Sequence, residues 1–139
     1  MNCVFCEILA GKTPASMVFT DEICSAFMDI QPINPGHMLV IPNQHAASLS
    51  ELDKAAGGHM FQVAQHLSEA LRQCGIRCEG VNLFLADGEV AGQDIFHVHL
   101  HVFPRFTGDG FSIKVGLKYH LKPSRSELDT IATIIKVVL

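Results

Sequence analysis

The segment His97-Val98-His99-Leu100-His101-Val102-Phe103 decides the fold. Successive side chains of a β-strand point to opposite faces, so the histidines share one face and the apolar residues between them share the other. Histidines two residues apart lie about 6.6 Å from each other at a rise of ~3.3 Å per residue. Neighbouring imidazoles can then contact one phosphate or one metal ion without crowding. The sequence therefore predicts a strand with one face for core packing and one face for chemistry.

Histidine suits chemistry on phosphate because its unperturbed pKa is about 6.5, which leaves most of the imidazole unprotonated at pH 7. It can form covalent intermediates, and neighbouring histidines can donate hydrogen bonds to phosphate oxygens. One or two such residues would ordinarily be solvent-exposed strand residues. Three in strict alternation between large apolar residues favour a phosphate-handling centre instead.

Patterns on either side of this segment predict the other elements of an α+β fold. We expect an antiparallel sheet of about five strands, one long central helix and a C-terminal helix in a single domain over residues 1–139. The predicted strands cover Met17–Thr20, Ile23–Asp29, Met38–Ile41, Val81–Ala86 and His97–Pro104, and the predicted helices cover Val4–Ala10, 51–74 and the residues after Pro123. Ser48-x-x-Glu51 and Ser124-x-x-Glu127 are candidate capping boxes for the two longer helices.

Composition excludes several classes of protein. The 139 residues are 48% hydrophobic and carry a formal net charge of −4, so the chain lacks the basic surplus of a protein that binds nucleic acid through its phosphates. No stretch approaches the roughly 18 consecutive apolar residues of a membrane span, and the N-terminus has no basic region followed by an apolar run, so we expect a cytoplasmic protein. The five cysteines favour reduced thiols or a metal site over disulfides. The pair Cys3-x-x-Cys6 alone supplies only half of a structural zinc site.

The chain resembles the histidine triad family. The segment 97–103 is similar to that family's signature of alternating histidines and apolar residues, and Ala91-Gly92-Gln93 precedes it as in the family. The similarity also includes Cys3-Val4-Phe5-Cys6, Phe27–Ile30, Pro35–Pro42, Arg105 and Gly108–Phe111. The branch that it resembles is the bacterial-type purine nucleotide phosphoramidases, rather than the uridylyltransferases or the longer diadenosine polyphosphate hydrolases.

The resemblance implies a role for each matching residue. His99 would be the nucleophile that attacks the α-phosphorus and carries the nucleotidyl group until water removes it. His101 and His37 would support the phosphate, and Gln93 would contact the phosphate or the bridge to the leaving group. Asp29 would accept from the ribose hydroxyls. The residues expected to bind the nucleotide are Phe5, Ile8, Phe27, Asp29, Ile30, Leu39, Asp87, Gly92, Gln93, Asp94, His99 and His101.

The resemblance also implies a metal site and a partner. A structural zinc ion would be held by Cys3, Cys6, His45 and His97, and the chemistry would need no magnesium. The substrate would be a purine nucleotide such as AMP or an AMP phosphoramidate, and the protein would form a homodimer through the long helix and a strand edge. The chain departs from the family at Ala86, where many relatives carry an asparagine that assists ribose or phosphate binding.

Two other functions compete with hydrolysis of nucleoside phosphoramidates. The loss at Ala86 favours a nucleotide-binding or interaction protein with weak residual catalysis, and labelling of His99 in a single turnover would separate the two. A metal-dependent small-barrel enzyme could use His-x-His as ligands. That motif usually needs a carboxylate shortly downstream, and Phe103-Pro104-Arg105-Phe106 provides none.

Overall fold

The computed structural model describes residues 2–139, which divide into two compact units. The first unit ends at Asp109 and contains the sheet, and the second covers Gly110–Leu139. Within residues 2–139, no helix combines the length and the apolar character that a membrane crossing requires.

The first unit is an α+β structure, which confirms the predicted fold class. Its strands are β1 (Met17–Thr20), β2 (Cys24–Met28), β3 (Met38–Pro42), β4 (Gly80–Phe84) and β5 (Leu100–Arg105), and its α-helices are α1 (Val4–Leu9) and α2 (Lys54–Gln73). A short 3₁₀ helix spans Glu89–Ala91. The strands form one antiparallel sheet in the order β1-β2-β3-β5-β4. Strand β3 lies at its centre and is buried along its whole length.

The alternation of side chains along the strands separates two hydrophobic clusters. One face of the sheet packs against the apolar stripe of α2, where Ala26, Val40 and Val102 meet Val63 and Leu67. The opposite face packs against the N-terminal segment, and its cluster consists of Cys3, Phe5, Phe27, Leu39 and Ile41. The histidines at odd-numbered positions belong to this second face, so α1 covers the side of the sheet on which the chemistry was predicted.

Strand β5 begins later than the sequence predicted. The expected strand covered His97–Pro104, whereas the ladder to β3 begins at Leu100, which pairs with Val40. Before that point, the backbone N–H of Val98 donates to Ala46 O at 2.8 Å, so this residue bonds to a loop instead of to a strand. The alternation of faces still holds because Val98 is buried in the same cluster as Val102.

The long helix also begins differently from the prediction. Its N-cap is Asp53, whose carboxylate accepts from Ala56 N at 3.0 Å. The predicted capping box Ser48-x-x-Glu51 is wrong: Glu51 accepts from Ala47 N, and Ser48 bonds to the Ser50 hydroxyl. These residues form a separate turn because the chain turns again before the helix starts.

Strand β4 also differs from the prediction, because it ends at Phe84, two residues before the predicted end.

The second unit contains a 3₁₀ helix at Leu117–His120 and helix α3 at Arg125–Lys136. The predicted capping box at Ser124 and Glu127 is confirmed, because both reciprocal bonds are present. The predicted apolar stripe is also present, but Leu128, Ile131, Ile134, Ile135 and Val138 are all exposed. That both units form a single domain stays a prediction.

Gly36 sets the course of the chain at His37, the residue directly before β3. Its φ of +102° is a conformation that side chains with a Cβ rarely adopt. A Cβ at this position would lie 3.0 Å from Leu71 Cδ2 and 3.2 Å from Pro104 Cγ. Glycine is therefore required here both by the backbone and by the close approach of α2 and β5.

We expect Gly36→Ala to lower the free energy of unfolding by about 2–4 kcal/mol, because a strained backbone costs of order 1–3 kcal/mol and crowding adds to it. Denaturant unfolding followed by circular dichroism measures the change. The matched control is Gly58→Ala within α2, where an added Cβ meets nothing within 4 Å. That variant should be more stable by about 0.5–1 kcal/mol, the difference in helix propensity. Equal effects of the two substitutions would contradict this account.

Candidate active site

The histidine face lies beneath the N-terminal helix. The ring centroid of Phe5 lies 5.3 Å from those of His99 and Phe27, both in edge-on contact. His99 is 3% exposed, so its ring is almost completely removed from bulk water. The apolar cluster around α1 thus holds this imidazole in one orientation.

The hydrogen bond of His99 determines which of its ring nitrogens is nucleophilic. Its Nδ1 lies 2.7 Å from the backbone oxygen of His97. A carbonyl oxygen can only accept, so Nδ1 carries the hydrogen. In the neutral ring, Nε2 then presents its lone pair, and it lies 3.7 Å from Asp94 Oδ1. The arrangement supplies a nucleophile with a fixed tautomer.

A second chain of hydrogen bonds fixes the hydrogens of His37 and His101. The backbone N–H of Ile33 donates to His37 Nδ1 at 3.0 Å, so the hydrogen of the neutral His37 ring is on Nε2. That Nε2 lies 2.8 Å from His101 Nδ1 and donates to it. His101 therefore carries its own hydrogen on Nε2. A phosphate oxygen next to that nitrogen would accept a hydrogen bond from an uncharged imidazole.

Burial keeps both supporting histidines neutral. Desolvation lowers the pKa of His37, although the charge of Asp29 opposes the change. Burial, followed by repulsion from His99 and His37, lowers the pKa of His101 to about 4. At neutral pH these two rings thus act as hydrogen-bond donors without adding positive charge to the site.

A cavity of about 290 Å³ opens beside His99 and His101. It contains the five apolar residues predicted for the base, together with Asp29 and Asp94. The apolar set is Phe5, Ile8, Phe27, Ile30 and Leu39. The volume is close to the lower end of the range for small-molecule sites. The structure thus brings nine of the predicted residues to one cavity.

Other predicted residues lie outside that cavity. Gln93 is buried, and its amide joins three loops: Oε1 accepts from Gly88 N, and Nε2 donates to the backbone oxygens of Ala47 and Ile95. Asp87 accepts from Leu49 N. These side chains hold the loops before the histidine segment, and their predicted contacts with the nucleotide stay predictions.

The remaining predicted positions in these loops also lie away from the cavity lining. Gly92 has a φ of +96° and ends the 3₁₀ helix Glu89–Ala91. Ala86 is 6% exposed, so the position at which the chain departs from its family is buried. Cavity residues that the sequence analysis missed include Thr13, Pro14 and Gln31. Their place depends on how the turns after α1 and β2 fold, and no local sequence signal marks it.

The four predicted metal ligands form one cluster. His97 Nδ1 lies 3.2 Å from His45 Nδ1, 3.4 Å from Cys3 Sγ and 3.6 Å from Cys6 Sγ. Cys6 Sγ lies 3.4 Å from His45 Nδ1. A zinc tetrahedron has edges of roughly 3.3 Å between nitrogens and roughly 3.6 Å between nitrogen and sulfur, given ordinary bond lengths. The four side chains therefore have the spacing that a zinc ion needs.

Further contacts orient His97 in this cluster and favour a bound cation. His97 Nε2 lies 2.8 Å from Pro42 O, to which it donates, and this leaves the Nδ1 lone pair directed at the cysteines. Burial and the adjacent Cys3 thiol raise the pKa of the Cys6 thiol. Two thiolates side by side are difficult to form here without a nearby positive charge, and a bound metal ion would supply that charge.

His59, on α2, also contacts a part of the chain that is distant in sequence. Its Nε2 lies 2.6 Å from Asp21 Oδ2, which joins α2 to the β1–β2 turn. Asp21 Oδ1 also accepts from Ile23 N and Cys24 N. These bonds connect the helix to the hairpin, and they explain why His59, Asp21 and Cys24 lie close together.

The low pKa of His101 makes folding stability depend on pH. The ordinary pKa of histidine is about 6.5, so the unfolded chain takes up this proton first as the pH falls. The contribution of His101 to the free energy of unfolding should be complete above pH 6.5 and decrease until about pH 4, by roughly 3 kcal/mol. Comparing unfolding free energies of wild type and His101→Gln from pH 4 to pH 7 isolates this residue. Parallel pH curves for the two proteins would refute the shifted pKa.

Comparison with known proteins identifies the family of the chain. A HIT domain model matches residues 10–108. An uncharacterized HIT-like protein of Borreliella burgdorferi is 39% identical over 122 residues, which cover 87% of this chain and 88% of that protein. Adenylylsulfatase HINT3 of Arabidopsis thaliana is 32% identical over 119 residues, which cover 86% of this chain and 60% of that protein.

Solved structures share the fold. A HIT family protein from Bacillus anthracis matches with a TM-score of 0.89 and 33% identity, over 99% of this chain and 97% of that one. A zinc-bound histidine triad family protein from Mycobacterium smegmatis matches with a TM-score of 0.77 and 34% identity, over 99% of this chain and 98% of that one. The family resemblance of the sequence is thus confirmed. The chain belongs to the HIT, or histidine triad, family.

Proposed function

We propose that the protein hydrolyses purine nucleoside phosphoramidates, or related nucleotides substituted at the α-phosphate, through a nucleotidyl-histidine intermediate on His99. One observation carries the proposal: the Nε2 lone pair of a buried imidazole borders a small apolar cavity, beside a second imidazole that donates from Nε2. A nucleophile next to an uncharged donor is what transfer of a nucleotidyl group requires.

The first step forms a bond from His99 Nε2 to the α-phosphorus and breaks the bond from phosphorus to the leaving nitrogen. The electron pair of the broken bond goes to that nitrogen, which takes a proton from solvent as the bond breaks and leaves as a neutral amine. His99 becomes a cation, whose Nδ1–H continues to donate to His97 O. In the second step, water displaces the imidazole. Over both steps one water molecule supplies the proton for the leaving amine and the hydroxyl group for phosphorus.

The remaining residues position the nucleotide. The apolar side of the cavity offers Phe5, Phe27 and Leu39 to the base, and burial of such rings is favourable. Asp29 Oδ1 already accepts from Gln31 N, and the carboxylate retains lone pairs for the ribose hydroxyls. Because the donors are protein groups, we expect no requirement for magnesium. The relative named as an adenylylsulfatase supports hydrolysis of an adenylyl compound.

We expect His99→Ala to fold as the wild type and to lose at least about 10³-fold in kcat with adenosine 5′-phosphoramidate, because removal of the nucleophile leaves only binding and orientation. Rapid-quench mass spectrometry should detect an added adenylyl group on His99 in the wild type alone. The matched control is His66→Ala on the exposed side of α2, which should retain full activity.

Two outcomes would contradict the mechanism. Near-native turnover by His99→Ala would show that another group attacks phosphorus. Tight AMP binding by the wild type without any turnover would favour the alternative of a nucleotide-binding protein. The enclosed position of Gln93, whose amide is committed to three backbone groups, is the observation that favours that alternative.

We also propose that Cys3, Cys6, His45 and His97 hold a structural zinc ion. Four protein ligands would leave no open coordination position, so the metal would tie α1 to the histidine segment and take no part in the reaction. Their mutual spacing supports this, as does the zinc-bound relative from Mycobacterium smegmatis.

We expect protein purified without chelator to contain one equivalent of zinc. The substitution Cys6→Ser should reduce the zinc content and lower the melting temperature by several degrees. Turnover by the molecules that remain folded should change much less than stability. The control is Cys74→Ser, an exposed cysteine outside the cluster, which should keep its zinc. Elemental analysis and calorimetry measure the two effects, and absence of zinc from independent preparations would refute the site.

A homodimer formed through α2 and a strand edge, one domain over residues 1–139 and a cytoplasmic location are further parts of the proposal. They rest on the family resemblance and on the composition of the sequence. The exposed residues Leu83 and Phe84 on edge strand β4 support a dimer contact at that edge.

A further inference from the structure

The charges around the cavity restrict which substrates fit. Among the described residues that line it there is no lysine or arginine, and its acidic residues are Asp29 and Asp94. His101 adds no positive charge at neutral pH, since burial lowers its pKa to about 4. Every nucleotide brings an anionic phosphate, and the side chains that line this cavity do not attract further negative charge on the substrate.

The two carboxylates differ in their exposure to solvent and in their contacts within the protein. Asp29 is 16% exposed; its Oδ1 accepts from Gln31 N, and its Oδ2 lies 3.4 Å from His37 Nε2. Asp94 is 82% exposed, and among the described residues its carboxylate is paired only with His99 Nε2, at 3.7 Å. Asp94 is thus the acidic group that is available to a ligand.

The position of Asp94 disfavours anionic ligands and favours cationic ones. A phosphorus atom bonded to His99 Nε2 would lie close to this carboxylate, whose charge repels the phosphate oxygens. A positive charge on the departing part of the substrate would remove that repulsion and be attracted to Asp94. An additional phosphate or other anion on the departing part would increase the repulsion.

We propose that Asp94 is a specificity-determining residue, and that it selects nucleoside phosphoramidates whose leaving amine carries a second, cationic group, such as a diamine. The inference rests on the proposed function of the same site and specifies its substrate class. Asp94 takes part in none of the bonds that form or break. It acts through the charge that it places beside the nucleophile.

Three adenosine 5′-phosphoramidates with the same phosphorus–nitrogen bond test the inference. Their amines are 3-aminopropylamine, butylamine and β-alanine, which carry a cationic, a neutral and an anionic end. Dissociation constants are measured by calorimetry on His99→Ala and on His99→Ala with Asp94→Asn, so binding is read without turnover. Values of kcat/KM are measured on wild type and on Asp94→Asn alone.

We expect the preference for the cationic over the anionic compound to fall about fivefold to tenfold when Asp94 becomes asparagine, the effect of one exposed charge at short range. The preference should also weaken as salt is raised. The matched control is Glu89→Gln, which removes an exposed carboxylate from the 3₁₀ helix Glu89–Ala91 and should leave all ratios unchanged.

The outcomes separate this inference from the proposed function. Equal preferences with and without the Asp94 carboxylate, in both binding and turnover, would overturn the inference. A charge preference in binding that depends on Asp94, with no hydrolysis of any compound by wild type, would contradict the proposed function and support the inference. Hydrolysis of all three compounds at similar rates would support the proposed function and contradict the inference about Asp94.

Discussion

The site depends on a single residue, His97, through three separate contacts. Its Nε2–H donates to Pro42 O at the end of β3, its Nδ1 faces Cys3 and Cys6, and its carbonyl oxygen accepts from His99 Nδ1. The sheet, the N-terminal helix and the proposed nucleophile His99 are therefore connected through one buried residue. If this residue moved, the tautomer of His99 would no longer be fixed, because the carbonyl that fixes it would move as well.

The division of the sheet into two faces explains how a small unit combines a stable core with a reactive site. The face toward α2 contributes the larger hydrophobic cluster. The opposite face buries fewer apolar residues, and its imidazoles are held by hydrogen bonds in addition to packing. Burial on this face removes water from the rings, and hydrogen bonds then decide where each proton lies.

Much of the structure could be predicted from the sequence, where the signal was local. Alternation of apolar and histidine residues predicted the two faces correctly even before the ladder begins, since Val98 is buried in the same cluster as Val102. The start of α2 was predicted wrongly, because Ser48 and Asp53 both match capping residues and only the path of the chain decides between them. One partner of the Gln93 amide was likewise not predictable, since Ala47 O lies 46 positions away in the sequence.

The hydrogen bond from the Ile33 backbone to His37 gives the loop before β3 a part in the chemistry. A backbone N–H cannot reverse its direction, so it fixes the hydrogen of His37 and, through it, the hydrogen of His101. Side-chain substitutions at Ile33 leave that donor in place, whereas proline removes it. The hydrogen-bonding direction of the His37 and His101 rings thus depends on the course of the main chain. If that loop loosened, both rings would be free to change tautomer while every histidine stayed in position.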